Sequence, residues 1–139
     1  ILIKQTIHLL KKNKVIKILS ICKNKLNLNG KIIILSLDPK KNEIPTFSLM
    51  KKKLKDSLVK DKKLFNLIFQ SNQKINIKNF AYKVTISKKK YLKMVKNRYI
   101  STLLNFSDEQ ILNGLQEINN KYKKILNFKD RLICFIIEK

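Results

Sequence analysis

Catalysis and tight polar recognition need side chains that accept protons, donate electron pairs or hold charge, and few such groups stand together in these 139 residues. The one histidine, His8, lies in the run QTIHLL behind Gln5 and Thr6. An imidazole titrates near neutral pH, so His8 can orient a substrate or accept its proton, or it can open a helix and pack locally. Asp38 and Glu43 are the acids of the segment DPKKNEIP. They can hydrogen-bond a polar substrate or cap the helix that follows. In YLKMVKNRY, Arg98 stands with Tyr91 and Tyr99, and an arginine between tyrosines can clamp a carboxylate; it can equally pair with Asp108 or stack on a neighbour. Cys22 and Cys134 are far apart in apolar surroundings, which suits buried thiols in a reducing compartment. Two thiols and one imidazole do not make a zinc set, and there is no Gly-x-Ser-x-Gly, Walker loop or cysteine–histidine pair at usable spacing. Hydrolase and nucleotidyl-transfer chemistries therefore have no support.

The formal charge is +23. A field of that size attracts polyanions whatever the fold, and the runs KKKLK (Lys51 to Lys55) and KKK (Lys88 to Lys90) are its densest parts. A lysine-rich RNA-binding module is accordingly one reading, with nonspecific nucleic-acid binding as its weak form. Against it, only Arg98 and Arg131 among the 32 basic residues carry the planar fork that suits phosphate and guanine edges. Phe47, Phe65 and Phe69 fall on apolar helix faces instead of interleaving with the lysines. The abundance of Lys, Ile and Asn also fits an A/T-rich coding sequence. No apolar run approaches the roughly 18 residues of a membrane-spanning helix, and no signal peptide with a small-residue cleavage site is visible. The expectation is a soluble, cytoplasmic protein without a membrane partner.

The elements that would carry these residues follow from periodicity. Ile1 to Lys4 reads as a strand, with Gln5 to His8 as the loop at its carboxyl end. Val15, Ile18, Leu19, Cys22 and Leu26 recur at helical spacing from Lys14 to Leu26, and Gly30 stands where a left-handed turn can close the helix. Ile32 to Leu37 is apolar on both faces, the mark of a strand covered on two sides, and the Asp38 to Pro45 loop then lies at a sheet edge that commonly binds ligands. Helices are expected over Pro45 to Leu58, Asp61 to Gln70 and Tyr91 to Leu104, with extended structure over Ile75 to Ser87. Ser107 followed by Gln110 predicts a capping box, with Ile111, Leu112, Leu115, Ile118 and Tyr122 as the buried stripe behind it. Leu132 to Ile137 closes the chain as a strand. The chain begins inside an apolar run with no methionine, as though the true start lay upstream.

Taken in order, ILIKQTIHLL, VIKILSICKNKL, LNLNG and KIIILSLDP resemble the carboxyl-terminal half of a class I S-adenosylmethionine-dependent methyltransferase of the small-molecule type. Leu28 and Asn29 stand where that family usually has Pro and Gly. The later segments YLKMVKNRYISTLLNFSDEQILNGLQEI and FKDRLICFIIEK are similar to its substrate-covering insertion and last strand. The resemblance implies an α/β fold, a Rossmann-like methyltransferase sheet that is incomplete, in one domain over residues 1–139 with a helical cover over about 45–122. It implies S-adenosylmethionine as cofactor in the parent protein, contacted by Gln5 and Thr6, and a small-molecule methyl acceptor contacted by His8, Tyr91, Arg98 and Tyr99. Positioning of donor and acceptor in line can supply much of the rate in such chemistry, so no catalytic base need be visible. The family's glycine-rich loop would lie upstream of Ile1, so these residues alone should bind the cofactor weakly. A catalytically inactive, partner-binding domain of the same fold is the remaining alternative.

Overall fold

A computed structural model of the chain describes residues 1–71 and 74–139. The strands are β1 (Leu2–Lys4), β2 (Lys31–Leu37), β3 (Ile75–Ser87) and β4 (Ile125–Glu138). The helices are α1 (Lys12–Asn24), α2 (Ser48–Gln70), α3 (Lys88–Lys96) and α4 (Asp108–Lys121). The fold is α/β with one mixed four-stranded sheet in the order β1-β2-β4-β3. Strands β1 and β2 are parallel, in register Ile3 to Ile34, and α1 is the connection between them. Strand β4 runs antiparallel to β2, with Phe135 opposite Ile34 and Cys134 opposite Leu35. Its pairing with β3 is antiparallel as well, marked by the Tyr82–Asp130 and Thr85–Asn127 side-chain bonds. Among the described residues, no helix is long and apolar enough to cross a membrane.

Two compact units emerge, and α2, β3 and β4 each contribute to both. The first comprises residues 1–42, 58–81 and 131–139. Its core gathers one face of the sheet, Ile32, Ile34, Phe135 and Ile137, against Val15 and Leu19 of α1 and Leu64, Phe65 and Ile68 of α2. The other face carries Ile33, Leu35, Leu37 and Ile136, which are half-buried, with the buried Leu132 and Cys134, and none of the six belongs to either core. The two-sided apolar character of β2 is therefore matched by full burial on one side only. The second unit comprises residues 43–57 and 82–130. Its core joins Phe47 and Met50 of the α2 segment to Tyr91, Val95, Phe106, Ile111 and Ile118.

Several boundaries differ from the periodicity reading. Pro45 to Leu58 and Asp61 to Gln70 are one helix, α2, because Met50, Leu54, Leu58, Phe65 and Ile68 form one buried stripe with no breaker between its halves. It starts at Ser48, whose amide and hydroxyl both donate to Glu117 Oε1 of α4 at 2.8 Å. That carboxylate occupies the positive end of α2 and its pKa is drawn below the usual range by the two Ser48 bonds. Helix α3 stops at Lys96, well short of Leu104. Tyr99 N donates to Met94 O and Arg98 N to Val95 O, a Schellman closure with Arg98 left-handed at φ 52°. After α1, it is Asn29 (φ 62°) and not Gly30 that takes the left-handed position, a role asparagine tolerates. Gly30 is needed for space, since a Cβ there would lie 2.9 Å from Asn27 O. The stretch 45–122, expected as a helical cover, contains β3, and its residues 58–81 group with the first unit. The capping box of α4 forms as expected, but Leu112 is exposed and Gly114 lies inward.

Candidate functional site

Gln5 and Thr6 follow β1 and are exposed, and Gln5 takes φ 50° while its amide donates to Leu35 O at 2.7 Å. His8 sits half-buried in a single 3-10 turn, Ile7–Leu9. Its electrostatic neighbour is Asp61 of α2: burial pushes that carboxyl's pKa up, and the His8 charge opposes the rise. The sequence reading had no signal for this pair, which comes from the packing of α2.

Tyr91, Arg98 and Tyr99 come together in the second unit, but as packing. Tyr91 is 1% exposed, donates its hydroxyl to Pro45 O and meets the Tyr99 hydroxyl at 3.0 Å. Burial, first of all, raises both phenols, that of Tyr99 to about 12. Arg98, expected on a helix, lies beyond its end. Nη2 of Arg98 donates to Asp108 Oδ1 at 2.7 Å and to Phe106 O at 3.0 Å, which ties the close of α3 to the start of α4. The pairing with Asp108 is the alternative that the sequence left open.

Asp38 accepts from the Lys40 amide at 2.8 Å and so shapes a turn, and Glu43 accepts from Lys129 N at 3.2 Å. The turn at Asp38 borders an open cleft of the first unit, about 750 Å³. From the loop after β2, Asp38, Lys40 and Lys41 line it; from α2, Lys62, Phe65, Asn66 and Phe69 do. The helical spacing of 62, 66 and 69 places those side chains along one side of α2. Strands β3 and β4 form the floor with Ile77, Asn79, Arg131, Ile133 and Phe135, where α2 leaves β3 uncovered. This volume lies in the range of small-molecule sites, and the place is the carboxyl end of β2 that the sequence marked. None of Gln5, Thr6, His8, Tyr91, Arg98 or Tyr99 lines it. Lys62 and Phe69 were legible only as parts of a polar and an apolar helix face, and Phe69 proves half exposed, at 52%.

A nucleoside cofactor needs backbone that it can approach closely, and the two glycines do not offer it. Gly30 is filled by Asn27 and Leu26, and Gly114 by the Phe47 ring. Neither glycine therefore offers such an approach. Among the described residues, no group of three or more His, Cys, Asp or Glu side chains comes together to hold a metal ion. Compared with known proteins, the chain matches no family model and none of the curated proteins.

Proposed function

We infer that this chain supplies the carboxyl-terminal half of a class I S-adenosylmethionine-dependent methyltransferase domain acting on a small-molecule acceptor. The observation that carries the reading is the sheet: a parallel β1-α1-β2 unit, then a terminal strand that enters antiparallel between β2 and β3. The segments that resemble the family, in the order the family has them, occupy these elements. The half-buried apolar face at Ile33, Leu35, Leu37 and Ile136 supports it, because such a face in an α/β sheet calls for helices on it. In this reading the glycine-rich loop would come from elsewhere in the parent protein.

The test is calorimetric titration with S-adenosylmethionine. The 139-residue chain should give no micromolar binding, whereas the natural polypeptide that contains it should bind and be photolabelled by the cofactor. Micromolar binding by the 139 residues alone, or none by the natural polypeptide, refutes the reading.

A further inference from the structure

We propose that the cleft beside α2 binds a planar aromatic anion, a small molecule carrying a carboxylate or phosphate on a flat ring. The inference stands on the cleft alone and does not require methyl transfer.

The cleft is graded along its length. Asp38 N donates to Arg131 O at 2.9 Å, which puts Arg131 beside the Lys40–Lys41 turn at one end. Phe65 packs on Phe135 with ring centroids 5.0 Å apart, and α2 ends at Gln70, shortly before β3 opens at Ile75, so its carboxyl end lies toward the start of β3. Lys62, one turn earlier on α2, therefore lies toward the Arg131 end, and Phe69, one turn later, toward Ile77. The first end gathers four cations, Lys40, Lys41, Lys62 and Arg131, against the single carboxylate of Asp38. That carboxylate is already engaged by a backbone amide, so it offsets the cations only in part. A ligand head group there would meet charge-assisted ammonium donors from Lys40, Lys41 and Lys62.

The other end is apolar and aromatic. Phe69 from α2 lines the cleft with Ile77 and the Phe65–Phe135 pair, and it stays 52% exposed. A half-exposed ring beside an apolar floor is a cost in water that a flat ring stacked on it would remove. Asn66 and Asn79 add amide donors and acceptors between the two ends. An inorganic anion would use only the first end and a neutral ring only the second.

The test titrates the 139-residue chain with 2-naphthoate, with adenosine monophosphate and with inorganic phosphate, at about 0.15 M salt to suppress diffuse attraction. The first two share the proposed chemistry, and whichever binds tighter names the head group. Saturable binding of either, weakened about tenfold by Lys62→Glu and by Phe69→Ser but not by Lys89→Glu on α3, is the expected result. All three positions are exposed, and circular dichroism confirms that each variant is folded. The proposal is overturned by no saturation with either aromatic anion below about 1 mM, by phosphate binding as tightly as they do, or by Lys89→Glu weakening binding as much as Lys62→Glu.

Discussion

Gly114 stands in the middle of α4, where alanine would ordinarily be the better helix former by about 1 kcal/mol. Gly114→Ala should nevertheless destabilise the protein. A Cβ at this position would lie 2.7 Å from three consecutive atoms of the Phe47 ring, against 3.4–4 Å for ordinary contact. Equal distances to three neighbouring atoms mean that the ring lies face-on to the helix backbone, and it would have to retreat by about 1 Å, on the scale of a methylene. It has little room to do so: Phe47 is 2% exposed and leans on Phe106, with centroids 5.7 Å apart. Forcing a methyl group into such a core costs about 1–3 kcal/mol, which outweighs the gain in propensity and leaves a net loss of about 1 kcal/mol. Urea unfolding followed by circular dichroism measures it. The diagnostic variant is Gly114→Ala with Phe47→Leu, in which the smaller side chain should recover part of the loss, so that the two substitutions are not additive. If Gly114→Ala alone proves more stable than the natural chain, helix propensity governs the site and the packing argument fails.

Arg98 offers a second test, because its left-handed backbone and its ion pair oppose each other. Arg98→Ala keeps the strain and loses the bonds to Asp108 and Phe106, so it should be less stable than Arg98→Gly by about 1 kcal/mol in urea unfolding; equal stabilities would refute the assigned strain. Stability should fall steeply above pH 10, the ordinary value for a phenol: Tyr91 and Tyr99 stay protonated in the fold while the unfolded chain ionises, each costing about 1.4 kcal/mol per pH unit until Tyr99 itself titrates near 12. Phenolate absorbance recorded beside circular dichroism checks it, and titration of all four tyrosines near pH 10 without unfolding would contradict it. Cys134 is 3% exposed and burial raises its thiol pKa, whereas Cys22 is half-buried, so a thiol reagent should modify Cys22 first and reach Cys134 only on unfolding. Equal rates on the two would show that β4 opens in the native state.

The sequence determined what depends on near neighbours. The capping box at Ser107 and Gln110 is a contact over three residues, and it forms as written. The apolar run from Ile32 to Leu37 could only be a strand beside other strands, and the weakly alternating stretch from Ile75 to Ser87, legible as one strand or two short extended pieces, is one strand. The carboxyl end of β2, marked by Asp38 and Pro39, borders the cleft. Tertiary structure decided whatever depends on distant partners. Tyr91, Arg98 and Tyr99 looked available because sequence shows type and spacing but not burial; Pro45, Asp108 and Phe106 take them up. Asp61 meets His8 because Leu64, Phe65 and Ile68 seat this part of α2 in the same core as Ile7, a partnership of distant segments. Lys40, Lys62, Phe69 and Arg131 come from three separate parts of the chain, and no local pattern joins them. They converge because strand pairing brings Arg131 to Asp38, while α2, seated on β4 through Phe65, leaves the adjoining strand β3 uncovered.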